Sequence, residues 1–156
     1  MDRFIFALTV AAAIGSGLIA GTFFVFSAAV MPAFRQLPAD SAMAAMKRIN
    51  EVILNPIFLG VFVGTAVVAL GLAVWCVLNW GRPGVVYLLA GSFFYVAGTF
   101  GVTVVFNVPM NNTLARSDDP EAWSTYAPRW TLWNHIRALA STAATGAFTL
   151  AAANLQ

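Results

Sequence analysis

Charged side chains are absent from four long stretches of the sequence: Phe4 to Phe34, Val52 to Gly81, Pro83 to Ala115, and everything after Arg137. A helix needs about 20 mostly apolar residues to cross a bilayer, and each stretch can supply one. Inside lipid the backbone must satisfy its own hydrogen bonds, which leaves helices as the reasonable element. Spans are therefore expected near Phe4–Met31, Leu54–Leu78, Val85–Phe106 and Leu132–Ala153, within one domain covering residues 1–156. The first apolar stretch outruns a signal-peptide core of about 7–15 residues. It continues past Ala11–Ala13 without a polar break, so a retained span is expected. The fold class is all-α: an integral membrane four-helix bundle.

Composition agrees with a bilayer as the first partner. Only 9% of residues are charged and 60% are hydrophobic, whereas a soluble domain carries about a quarter charged residues. A net charge of +2, with no basic tract and no nucleotide-binding motif, gives no case for nucleic acid. Cys76 is the single cysteine, which excludes an internal disulfide, a CxxC motif or a thiolate metal cage. It reads as a small packing residue. Gly17 with Gly21 and Gly60 with Gly64 form GxxxG pairs, a spacing that lets helix backbones approach closely. Packing inside the bundle is the expected use, and a homo-oligomer seam is the alternative.

The connections are unequal. Asn79–Gly84 is a tight turn. The first connection is long, with Asp40 or Ser41 placed to cap a helix. Met43, Met46, Ile49 and Ile53 follow at helical spacing while Lys47, Arg48 and Glu51 take the other face. That pattern predicts an amphipathic interfacial helix, running into the second span through a kink at Pro56. In the third connection Asp119 is the expected cap, with Pro120 and Glu121 opening a short helix that stops before Pro128. Pro128 would then start the last span.

With four spans, the first and third connections share one side of the membrane. Asn50, Asn55, Asn107, Asn111, Asn112 and Asn134 all fall there, with His135, Arg137, Trp123, Tyr126, Trp130 and Trp133. Arg35, Lys47, Arg48, Arg116 and Arg129 lie on that side too, against Arg3 and Arg82 on the other, so the positive-inside rule puts this polar pole in the cytoplasm. Taken singly, tryptophans at an interface are usually anchors. Buried amides in a membrane more often mark sites. Trp130, Trp133, Asn134 and Arg137 share a helix face, and His135 points about 100° away from Asn134. Asn107 and Asn111 align only if helix persists through Pro109. Pro109 disfavours helix at Val108, so a polar loop folding back over the bundle is expected. His135 and Asn134 are expected to meet Asn107 or Asn111 across a cleft between the third and fourth spans.

A lone histidine with no adjacent carboxylate makes a poor nucleophilic triad. A metal at His135, with Glu51, Asp118, Asp119 and Glu121 as optional oxygen ligands, matches no standard spacing. What remains is one imidazole as a potential base, ringed by amide donors suited to an oxyanion. That constellation fits proton abstraction from an acidic, apolar substrate.

"FNVPMNNTLA" and the downstream "W..Y...W..WNHIR" resemble the signature of the anthrone oxygenase-like family of small membrane proteins. The matching positions are Asn107, Pro109, Asn111, Leu114, Trp123, Tyr126, Trp130, Trp133, Asn134, His135 and Arg137, and "MPAFRQLP" and "INEVILNP" are similar as well. The resemblance implies a four-helix membrane protein that converts an anthrone to an anthraquinone with molecular oxygen as cosubstrate and no added cofactor. Mapped onto this chain, His135 would be the general base and Asn107, Asn111 or Asn134 the oxyanion donors. Arg137 would stabilise reduced oxygen. Trp130, Trp133, Trp123, Tyr126, Asn50 and Asn55 would contact a flat apolar substrate. The alternative is a non-catalytic binding or accessory protein for a lipid-like metabolite or quinone.

Overall fold

The computed structural model describes residues 3–155. They form five helices: α1 Arg3–Phe34, α2 Ala39–Val52, α3 Pro56–Leu78, α4 Val85–Ala115 and α5 Glu121–Asn154. α1, α3 and α4 are long and apolar enough to cross a bilayer, which makes this a membrane protein. α5 has 34 residues and so spans about 50 Å, with its charged residues in the first half. The four long helices close a ring in which α1 packs on α3 and α5, and α4 packs on the same two. Ile5, Ile19, Leu72, Leu88, Tyr95 and Phe148 fill the middle. Val67, Leu70, Val77 and Leu139 point outward, exposed, as a lipid-facing surface requires.

Close helix approach rests on glycines outside the GxxxG pairs. A Cβ on Gly15 would collide with the Thr65 side chain, one on Gly91 with the Phe148 ring, and one on Gly98 with the Ala140 methyl. Gly21, Gly60 and Gly64 have open space where a Cβ would stand. Packing inside the bundle therefore accounts for Gly17 alone among the four, through its contact distance to Thr145. In the Asn79–Gly84 turn, Gly81 and Gly84 hold φ of 92° and 79°, the left-handed region that favours glycine.

α2 lies across one end of the ring. Its Met43 and Met46 pack with Met31, Phe34, Leu114, Trp123, Tyr126 and Trp130 into a second core. Arg48 and Glu51 face outward as an ion pair. Lys47 donates to the Ser117 carbonyl at 2.5 Å and so ties α2 to the third connection. Asp119 accepts from the Glu121 amide at 2.9 Å, as its capping position suggested.

The prolines behave differently from expectation at three places. At Pro56 the chain breaks instead of kinking: α2 stops at Val52, and the Asn55 side chain accepts from the amides of Ile57 and Phe58 to start a new helix. At Pro109 helix continues where a loop was expected. The preceding turn, Thr103–Asn107, is π-helical, and the Val108 amide reaches back five residues to the Thr103 carbonyl. The widened turn accommodates a residue that has no N–H of its own. The same device precedes Pro32, where Phe26–Val30 is π-helical and the Met31 amide bonds to the Phe26 carbonyl. At Pro128 α5 runs straight through. Ser124, whose carbonyl loses its partner there, is exposed, so solvent replaces the missing bond.

Candidate ligand cavity at the polar pole

The ends of all five helices enclose a cavity of about 380 Å³ under α2. Phe23 and Phe26 of α1, Phe58 and Phe62 of α3, and Val104 and Val108 of α4 make its apolar walls. Asn50 and Lys47 enter from α2, Thr103 and Asn111 from α4, and Trp130 and Arg137 from α5.

Arg137 is the most unusual of these groups. It is 4% exposed. Its guanidinium carbon stands 4.1 Å from the Phe23 ring centre and 5.1 Å from that of Trp130. Nη2 donates to Asn134 Oδ1 at 2.8 Å and Nη1 to Thr103 Oγ1 at 3.3 Å. Nε has no partner. Among the described residues no carboxylate pairs with it: the ion pairs are Lys47–Asp118 and Arg48–Glu51. A buried cation held by aromatic faces and neutral oxygens keeps its net charge.

Asn134 is fully buried and turns toward α1, not toward α4 as expected. Its amide nitrogen donates to the Phe23 carbonyl and to Ser27 Oγ, each at 2.8 Å. Ser27 sits in the π turn of α1, and the same hydroxyl lies 2.8 Å from His135 Nδ1. Thus His135, Ser27, Asn134, Arg137 and Thr103 form one hydrogen-bonded chain from the outer surface to the cavity. His135 itself is exposed and is not part of the cavity wall.

The other predicted residues divide. Asn50, Asn111, Trp130 and Arg137 line the cavity. Tyr126 stands just behind, its hydroxyl donating to Asn111 Oδ1 at 2.8 Å, and burial pushes its phenol pKa well above the ordinary value. Asn107 is fully buried with neither side-chain atom bonded, off the cavity wall. Trp123 belongs to the second core. Trp133 stacks on Phe106 on the outer face of the bundle, ring centres 3.5 Å apart. Asn55 is a helix cap. Sequence reading missed Ser27, Thr103, Phe23 and the α3 phenylalanines. Ser27 had one usable signal, a hydroxyl five residues before a proline inside an apolar span. No group of three or more His, Cys, Asp or Glu side chains able to hold a metal occurs among the described residues.

Fold and site together define a helical membrane protein with an apolar-walled cavity, lined in part by a buried arginine that has no carboxylate partner among the described residues. The sequence model of the anthrone oxygenase family matches residues 55–147, from the cap of α3 into the second half of α5. The chain belongs to that family. No curated protein and no solved structure matches it.

Proposed function

We propose that this chain is a four-span membrane oxygenase that oxidises an anthrone-like aromatic with molecular oxygen inside the polar-pole cavity. Family membership supports the reaction class, and one observation carries the location: a cavity with apolar walls and a buried cation on its lining. α5 is the fourth span in this reading, crossing with the half that follows Arg137. Substrate reaches the cavity from the bilayer. Val63, Val104 and Val108 are both exposed and part of the wall, so an apolar path joins lipid to cavity between α3 and α4.

The net change converts a ring CH₂ and O₂ to C=O and water. A proton leaves the ring carbon, the carbanion reduces oxygen and forms a C–O bond, and the returned proton gives a hydroperoxide. Loss of water then leaves the quinone carbonyl. His135 is the acceptor and later donor of that proton in this reading; neither it nor the Ser27 hydroxyl it contacts lines the cavity, so the substrate or a bound water has to reach Ser27 past the cavity wall for the transfer. Phe23, Phe26 and Trp130 supply flat apolar surface for the rings.

A second reading is favoured by the position of His135 outside the cavity wall: a non-catalytic binding or accessory protein for a quinone-like metabolite. Oxygen uptake by the purified protein in detergent or lipid discs, with an anthrone added, separates the two. Protein-dependent, stoichiometric formation of anthraquinone supports the oxygenase. Saturable binding with no uptake above the spontaneous rate overturns it.

A further inference from the structure

The cavity has a marked asymmetry between donors and acceptors at its closed end. Arg137 Nε and Trp130 Nε1 are buried nitrogen atoms without a partner, the Asn50 side chain is turned to the Tyr126 hydroxyl, and Arg137, Trp130 and Asn50 all line the cavity. Asn111 Oδ1 is occupied by the Tyr126 hydroxyl, which leaves that residue its amide nitrogen to offer. The carboxylate on the wall, Glu51, is exposed and already engaged with Arg48 at 2.8 Å. Buried donors left unpaired are costly, and a buried cation with no counter-ion more so. A neutral hydrocarbon would leave every one of these groups as it is. A negatively charged oxygen would balance the Arg137 charge.

We propose that the Arg137 end of the cavity is an anion site that takes a flat aromatic ligand through a negatively charged oxygen, an enolate or a carboxylate. Arg137 is its counter-ion, and Trp130 and Asn50 share the wall of the cavity with it. Phe23 and Trp130 pack around the guanidinium, and among the described residues no carboxylate cancels its charge. Charge-assisted bonds of this kind are roughly twice as strong as neutral ones. The inference rests on the cavity being the substrate site, as proposed above, but not on any turnover there.

The test uses anthracene carboxylate and its methyl ester, which share a ring system and carry no oxidisable CH₂. Binding to the full chain in zwitterionic lipid discs is followed by probe fluorescence, without oxygen. The ratio of the two affinities is compared between wild type and Arg137→Met in identical discs, which cancels partition into lipid. The expected result is a preference for the acid of about tenfold or more in wild type, lost in Arg137→Met while ester binding persists. Equal affinities in wild type, or an acid preference that survives Arg137→Met, overturn the anion site. Should Arg137→Met fail to fold, Trp130→Phe and Asn50→Leu each reduce the preference severalfold, and two unchanged ratios refute the proposal. Acid preference without anthrone turnover sinks the oxygenase alone. Turnover without acid preference sinks the anion site alone.

Discussion

Replacing Asn134 or Asn107 by leucine removes a fully buried amide from the same pole, yet the two changes are expected to move stability in opposite directions. Asn134 makes three bonds at 2.8 Å: to the Phe23 carbonyl, to Ser27 Oγ, and from the Arg137 guanidinium. Neutral hydrogen bonds contribute about 0.5–1.5 kcal/mol each and those to charged groups about 1.5–3. The two neutral bonds and one charged bond then sum to about 2.5–6 kcal/mol. Side-chain bonds within membranes average nearer ~0.6 kcal/mol, because the unfolded chain finds partners too. A loss of about 2–4 kcal/mol is the expectation for Asn134→Leu. Asn107 bonds to nothing. An amide buried without a partner costs about 1–3 kcal/mol, and leucine removes that cost while adding some crowding. Asn107→Leu should therefore be neutral or stabilising by up to about 2 kcal/mol. Unfolding by dodecyl sulfate in mixed micelles, followed by tryptophan fluorescence, measures both. If Asn107→Leu destabilises as much as Asn134→Leu, counting hydrogen-bond partners is the wrong account of this pole.

His135→Ala should cut anthrone-dependent oxygen uptake by about 10²–10⁴-fold, the usual contribution of a general acid–base group, and leave the unfolding midpoint unchanged; full turnover in the variant would remove His135 from the mechanism. Val104→Trp, at an exposed wall position beside α3, should raise KM about tenfold with little change in kcat, whereas an unchanged KM would close the proposed route from the bilayer. If the polar pole faces the cytoplasm, Asn154→Cys in a Cys76→Ala background should react with an impermeant maleimide from outside the cell, and labelling only after lysis would reverse the orientation.

Much of the architecture was legible because charge placement and helix length are local properties. Three of the charge-free stretches place α1, α3 and α4, the fourth marks only the second half of α5, and the Met43, Met46, Ile49 stripe places α2 on its apolar face. The proline positions were less legible. Pro109 was read as ending a helix because backbone propensity was weighed alone, and the π turn that precedes it is not encoded by any single residue type. That misreading also put Asn107 in a loop, whereas the structure buries it within the bundle. The direction of Asn134 was not readable either. Helical spacing puts Trp130, Trp133, Asn134 and Arg137 on one broad face, but that face meets α1, α4 and the cavity at once. Asn134 goes to α1 because Ser27 and the Phe23 carbonyl offer it partners there, Trp133 goes outward onto Phe106, and only Trp130 and Arg137 remain on the cavity wall. The tryptophans taken singly resembled interfacial anchors; in the structure Trp123 and Trp130 are core residues, because α2 covers them.

Arg137 poses the sharpest energetic question in the fold. An arginine within a spanning helix costs about 2.5–3.5 kcal/mol on insertion scales. Two aromatic faces return about 0.5–2 kcal/mol each, and the bonds to Asn134 and Thr103 add further stabilisation of about 1.5–3 kcal/mol apiece at best. These contacts are enough to offset the insertion cost without any counter-ion, which explains how the fold tolerates the group. It does not explain why the group is there. A methionine of similar length would fill the same space with no charge to solvate, and replacing buried charges by apolar residues is often neutral or stabilising. An aspartate or glutamate on α4 would have paired the guanidinium, and Thr103 stands in that place with a neutral hydroxyl. Both simpler solutions would lose the same thing, a net positive charge at the closed end of an apolar cavity. The arrangement of Phe23, Trp130, Asn134 and Thr103 fixes the guanidinium while leaving that charge uncancelled, which is what a site for an anionic aromatic oxygen needs and a purely structural arginine does not.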